Sequence, residues 1–319
     1  MRQKMLSEAL KERFGTKVYK LSMTSGCTCP NRDGGLKNLT ADPESTAGKA
    51  AGNDEKSATG YGGCTFCSEG GSGEFAASRE KPIPEQLREA RARVAAKNHG
   101  GKYMAYFQSF TNTWAPVPYL ESVFQQAIAP EDIVALSIAT RPDALGSDVM
   151  AMLQRLNRQK PVMVELGLQT IHARTAQWMR RGYPLSVYDE AMRKCRQAGL
   201  ETVVHVILGL PGETAADMEE TVRYVAASGA DGIKLQLLHV LKGTDLEKEY
   251  REGRVPVMTL EEYTALLTRL LAVLPEHMVV HRLTGDGPKK LLIAPAWSAD
   301  KKNVINTLRR EIPAELYPK

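Results

Sequence analysis

TVVHVILGLPGETAADMEETVRYVAASGADGIKLQLLH, residues 202–239, is the stretch whose reading decides the fold. Residues 202–208 form a short run rich in Val, Ile and Leu, as expected of a strand buried on both faces. Residues 215–227 read as a helix, closed by Gly229. Residues 232–239 are a second strand. Strand, helix and strand in close succession make a βα unit, and such units place their strands parallel through right-handed crossovers.

The alternation extends backwards. A strand at 18–23 (VYKLSM) leads into a long loop. A helix at 83–97 follows, with Pro84 near its first turn. Then come a strand at 102–108, a helix at 117–128, a strand at 133–139, a helix at 147–156 and a strand at 162–168. Two helices, at 172–179 and 186–198, precede the opening stretch, the second closed by Gly199. Six strands therefore fit before residue 240. Periodicity alone leaves a barrel and an open doubly wound sheet both standing. Residues 241–319 break the pattern, with a helix at 260–274, a strand-like VVHRL at 279–283 and a charged final helix near 301–310. The expected organisation is a core over 1–240 and an α/β extension over 241–319.

Composition sets the class. The chain has 319 residues, 43% hydrophobic and 25% charged, which excludes a disordered chain, a collagen-like chain and a small disulfide scaffold. Its 42 basic residues are nearly matched by 37 acidic ones, so the formal charge of +5 permits an anionic partner without demanding one. No apolar run suits a signal peptide or a membrane span, and the expected compartment is a reducing cytoplasm. There, clustered cysteines bind metal or do redox work.

Four of the five cysteines, Cys27, Cys29, Cys64 and Cys67, sit in the loop after the first strand. The loop's middle, residues 36–61, is rich in Ala, Gly, Ser, Thr and Asp and reads as a flexible insertion. Thiolates suit both zinc and iron–sulfur clusters. Four cysteines match a closed zinc site in number, although the Cys27/Cys29 spacing is a poor knuckle. Three would hold three irons of a [4Fe–4S] cluster and leave the fourth open. Spacing alone leaves both readings open. Cys195, alone in a helix, reads as a small packed residue.

Five ordered segments carry a resemblance: CPNRDG (29–34), GGCTFCSEGGSGEF (62–75), ATRPD (139–143), ELGLQT (165–170) and ILGLPGE (207–213). Together they resemble the YhcC-like radical-SAM proteins of bacteria, which are similar in turn to the radical-SAM core of the Elongator catalytic subunit and of oxygen-independent coproporphyrinogen oxidase. The resemblance covers roughly residues 10 to 300. It implies a partial (β/α)6 TIM-like barrel with a C-terminal α/β extension. It also implies an enzyme that uses a [4Fe–4S] cluster and S-adenosylmethionine to generate a 5′-deoxyadenosyl radical. The electron would come from a reduced flavodoxin or ferredoxin. The substrate is unnamed; the Elongator likeness suggests tRNA, and no membrane is implied.

The resemblance assigns cluster ligation to Cys29, Cys64 and Cys67 and leaves Cys27 out. This chain widens the gap between the first two ligands through the insertion, which loop-closure entropy tolerates because it grows only logarithmically with length. Phe66 is implied beside the adenine. Gln108 and Ser109 match the segment that takes the methionine amino group, without the usual Gly-Gly. Gln169 matches a cofactor-contacting Gln. Arg181 matches an Arg on the methionine carboxylate, for which a fork of donors is suited. His205 stands where relatives contact the ribose, and Gly209 with Gly212 where backbone approaches the adenine. Ala139 stands where some relatives carry Glu. Arg141 and Asp143 pair with each other or serve the site. Glu165 is a buried carboxylate in need of a partner. Lys234, His239 and Lys242 fall on the substrate side, with His281 and Arg282 near the barrel mouth.

A reading from another class is a zinc-stabilised, four-cysteine nucleic-acid-binding protein. Arg88, Arg91, Arg93 and Lys97 would then face phosphates. Glu85 and Glu89, at helical spacing from Arg88 and Arg93, favour an ordinary solvated face instead.

Overall fold

The computed structural model describes residues 3–33, 62–71, 76, 80–285 and 287–318. The insertion expected over 36–61 lies outside the described residues. Seven parallel strands form one sheet, in the order β1 (Val18–Met23), β2 (Lys102–Phe107), β3 (Ile133–Thr140), β4 (Val162–Gln169), β5 (Glu201–Leu208), β6 (Gly232–Leu237) and β8 (Val279–Arg282). A small antiparallel pair, β7 (Val240–Leu241) with β9 (Leu292–Ala294), stands apart. The first six strands lie where the apolar runs place them. The sheet then runs one strand further than six, because VVHRL adds to the β6 edge. His239, expected at the end of the sixth strand, lies just beyond it.

Helices pack on one face of the sheet. Local chemistry fixes several of their ends. Pro84 and Pro118 occupy first-turn positions, where a missing N–H costs nothing. Thr214 with Asp217, and Thr259 with Glu262, form reciprocal capping boxes. Gly229 stops the helix Ala215–Ala227 at φ +77°, a conformation that side chains rarely adopt. On this outer face, residues such as Leu136, Ile138, Val164, Leu166, Val204 and Leu235 are fully buried against the helices.

The alternate residues point the other way. At the N-terminal end of the strands, Val18, Met104, Ala135 and Met163 pack against Leu6 and Leu10 of the helix Leu6–Phe14. That helix has no counterpart in the sequence reading. It packs against both β1 and β8, the two edges of the sheet, which do not pair with each other. A bridge from Met5 to Val280 and a hydrogen bond from Val280 N to Lys4 O tie it to β8. One layer further up, Lys20 on β1 meets Glu165 on β4 at 3.4 Å. Two strands lie between them, so a flat sheet would hold their backbones about 14 Å apart. The sheet is therefore curled into a partial barrel, with these side chains inside.

Leu10 plugs the bottom of that barrel and is 3% exposed. Leu10→Ala is expected to cost about 2–5 kcal/mol of stability, read as a lower denaturant midpoint at unchanged slope. A loss below about 0.5 kcal/mol, the range of ordinary surface changes, would show that the helix is not part of the core.

Candidate active site

The loops at the C-terminal ends of the strands enclose one cavity. Cys29, Cys64 and Cys67 border it, all three half-buried. Cys27 does not: it is buried in the main hydrophobic core, its N–H on the Ser25 hydroxyl, and burial pushes its thiol up to about 11. Among the described residues, the Sγ atoms of the other three do not all lie within 4.8 Å of one another. A tetrahedral zinc with Zn–S near 2.3 Å holds its sulfurs about 3.8 Å apart.

The loop holds its thiols by its own polar groups. Arg32 N and Asp33 N bond back to the Cys29 carbonyl, and Cys67 N to the Cys64 carbonyl at 3.1 Å. Asn31 Nδ2 donates to Cys64 Sγ at 3.3 Å and to the Arg180 carbonyl at 2.6 Å. The Cys67 thiol also donates to Cys64, and with Arg141 and Asn31 nearby this brings Cys64 down to about 7. Cys67 is pushed well up, first because its proton is held by Cys64, then by burial. Burial raises Cys29.

Around the thiols, the strand ends supply side chains. Phe66 borders the cavity and packs against the apolar cluster of Met179, Ile207 and Leu238. Gln108 lines the wall, whereas Ser109 beside it is buried outside the cavity. Gln169 sits at φ +71° where β4 loses its register. Its amide folds over Gly167, where a Cβ would stand 2.8 Å from Nε2. Its Oε1 is buried with no hydrogen-bond partner among the described residues. Arg141, after β3, gives Nε and Nη2 to the Asp143 carboxylate at 2.9 and 2.6 Å, and its charge reaches Cys29 and Cys64.

Arg181 stands otherwise than the resemblance implies. It is not solvated, being 3% exposed. Nor is its fork open to a ligand: Nη1 donates to the carbonyls of Leu168 and Thr170, and Nε and Nη2 both donate to that of Tyr183. These four bonds tie the end of β4 to the turn at Tyr183. Gly209 also differs from expectation. It is absent from the cavity wall, and the space of its missing Cβ is taken by the Met258 methyl, 2.8 Å away. Around Gly212 that space is open.

Below the strand ends lies a ring of polar side chains, one from each of the first six strands: Lys20, Tyr106, Ser137, Glu165, His205 and Lys234. Glu165, fully buried, is its hub. Its Oε1 accepts from Ser137 Oγ at 2.7 Å and from Lys20, and its Oε2 from His205 Nε2 at 2.8 Å and from Lys234. Burial alone would push this carboxyl up, but the adjacent ammonium groups hold it well below the usual carboxylate range. His205 is lowered to about 4 by burial and by Lys234, so it is neutral at pH 7 with its proton on Nε2. Lys234 also donates to the Tyr106 hydroxyl at 2.9 Å. Glu165, His205 and Lys234 were legible as polar breaks in apolar strands. Lys20, Tyr106 and Ser137 were not singled out, though each is the same kind of break.

Residues 61–225 match the Radical SAM superfamily and residues 230–313 the radical SAM C-terminal domain. The uncharacterized protein YtqA of Bacillus subtilis is 41% identical over 307 residues, 96% of this chain and 88% of that one. Protein YhcC of Escherichia coli is 35% identical, over 93% of this chain and 88% of its own length. Among solved structures, the archaeal Methanocaldococcus infernus Elp3 lacking residues 1–46 superposes with a TM-score of 0.64 at 16% identity, covering 92% of this chain and 63% of that one. No described helix is long and apolar enough to cross a membrane.

The thiols should be distinguishable by alkylation of metal-free protein under reducing conditions. Cys64, lowered to about 7, is expected to label first, its rate rising as pH passes through that value and thiolate forms. Cys27 and Cys195, both raised by burial, are expected to stay unlabelled until the protein unfolds. Equal labelling of Cys64 and Cys27 near neutral pH would contradict this geometry.

Proposed function

The chain belongs to the radical SAM superfamily of enzymes, and on that premise we propose that Cys29, Cys64 and Cys67 hold a [4Fe–4S] cluster beside a site for S-adenosylmethionine. The observation that carries this reading is the thiol trio: three half-buried sulfurs border one cavity, with Cys27 packed away from them in the core. The orphaned Gln169 Oε1 fits the second half of the reading, because S-adenosylmethionine carries ammonium and hydroxyl donors that would satisfy it. When bound, the cluster supplies the electron that cleaves S-adenosylmethionine to methionine and a 5′-deoxyadenosyl radical.

The chain's own residues hold and shield. Asn31 and Arg141 place donors and positive charge beside sulfurs that must be thiolates to bind iron. Phe66 offers an apolar face to an adenine. His205, with its Nε2 proton given to Glu165, turns an acceptor nitrogen to any hydroxyl in the cavity. Arg141, and not Arg181, is the guanidinium we assign to the methionine carboxylate. Only two of its five N–H groups are spent on Asp143, whereas Arg181 makes four bonds to main-chain carbonyls. The electron donor is a reduced flavodoxin or ferredoxin.

Anaerobic reconstitution is expected to load about four irons and four sulfides per chain. Cys29→Ala, Cys64→Ala and Cys67→Ala should each abolish the cluster and the formation of 5′-deoxyadenosine, while Cys27→Ala should keep both. Loss of the cluster in Cys27→Ala, with stoichiometric zinc in native protein, would sink the reading.

The two arginines should separate in titrations of S-adenosylmethionine followed by the cluster's paramagnetic resonance signal. Arg141→Lys is expected to weaken binding about tenfold to a hundredfold, because an ammonium cannot reproduce a forked contact. Arg181→Lys should instead lower the unfolding temperature, since it strands buried carbonyls. The reverse pattern would return the carboxylate to Arg181.

A further inference from the structure

Asn31 stands between two of the three thiols, and its donors are aimed at their sulfurs or at what holds them. It is 2% exposed, so water does not compete for its bonds. Its main-chain N–H is directed at the Cys29 sulfur. Its main-chain carbonyl accepts at 3.1 Å from the N–H of Gly63, the residue before Cys64. Its side-chain amide nitrogen has two hydrogens, and both are spent: one on Cys64 Sγ at 3.3 Å, the other on the Arg180 carbonyl at 2.6 Å. Both neighbours are acceptors, which fixes the amide with its nitrogen, not its oxygen, towards them. One residue thus joins the two cysteine segments that the 36–61 stretch separates in sequence.

The carbonyl that anchors this amide is itself firmly held. Arg180 sits at φ +58°, a left-handed conformation that a side chain of its size adopts only where its surroundings impose it. Its N–H bonds to the Gln177 carbonyl at 3.0 Å, and its guanidinium pairs with Asp245 of the C-terminal extension. Beside it, the Met179 carbonyl accepts from Thr65 N at 3.1 Å, and the Thr65 carbonyl from Leu246 N at 3.0 Å. The Asn31 amide cannot swing away from Cys64 without leaving a fixed carbonyl unpaired.

We propose that Asn31 is a positioning residue that raises the reduction potential of the bound cluster, by donating its side-chain N–H to Cys64 Sγ. The proposal rests on the cluster reading above. A sulfur that ligates iron keeps lone pairs able to accept a hydrogen bond, and a donor there draws electron density from it. The reduced state carries one more negative charge than the oxidised state, so the bond is stronger in it and favours uptake of the electron. Loss of the bond is expected to lower the reduced-to-oxidised ratio about tenfold at a fixed potential, which is about 59 mV for one electron. The ligating cysteines are untouched, so iron content should not change.

The test is a redox titration of anaerobically reconstituted protein, without S-adenosylmethionine, followed by its paramagnetic resonance signal. Asn31→Leu, close in volume and without a donor, is expected to hold as much iron and sulfide as wild type and to have a potential lower by about 59 mV. Asp245→Asn is the control: it loosens Arg180 without touching Cys64, and removal of an acidic group cannot lower the potential. If Asn31→Leu does not fold, wild-type protein decides. Grown on asparagine labelled with nitrogen-15 in the side-chain amide, and then reduced, it is expected to show a coupling to that nitrogen by electron spin echo envelope modulation. An unshifted potential in iron-replete Asn31→Leu, an equal fall in Asp245→Asn, or no such coupling in wild type would overturn the proposal. Iron and sulfide in wild-type protein are counted first. A wild-type chain that takes up neither overturns the cluster reading and this proposal with it, whereas a full complement with an unshifted potential overturns this proposal alone.

Discussion

One buried carboxylate organises the inner face of this sheet. Glu165 accepts hydrogen bonds from β1, β3, β5 and β6, so four strands converge on one side chain. That convergence is possible only if the sheet curls. The curl in turn makes an interior, and the interior divides into layers. Apolar residues under the helix Leu6–Phe14 fill the bottom, charged groups around Glu165 fill the middle, and the cavity opens above. Burying an ion pair is seldom a net gain in stability over apolar packing. Here it keeps the centre of the barrel polar and ordered directly beneath the cavity.

The order of strands and helices was legible because each βα unit carries its own punctuation. Apolar runs of strand length alternate with amphipathic helices that proline, threonine caps and glycine begin and end. Elements decided by distant partners were not legible in the same way. VVHRL is five residues long and reads alike as extension or as sheet; only the free edge of β6 makes four of them the seventh strand. The helix Leu6–Phe14 had no place in the sequence reading, and its role depends on a barrel bottom that no local pattern announces.

At the site, spacing identified residue types better than their tasks. The three cysteines implied as ligands all border the cavity, and Cys27, left out of that set, packs in the core. Arg181 shows where such reasoning ends. Its interval from Gln169 matched a pattern, but where a guanidinium points its five donors depends on the carbonyls within reach. The end of β4 and the turn at Tyr183 supplied those carbonyls, whereas Arg141 spends only two of its N–H groups, both on Asp143. Ser109 and Gly209 fell away for a similar reason: each neighbours a wall residue in sequence and is turned to the other side.

The two edges of the sheet meet a helix and not each other. In a fully closed barrel, strand number and stagger fix the circumference, and widening it means tearing a ladder of hydrogen bonds. This one has a seam. Along it, β1 and β8 share no ladder, and a single bridge with the packing of Leu6 and Leu10 does the joining. The girth of the interior is therefore set by what fills it. Opening that seam would break no strand-to-strand ladder of the sheet.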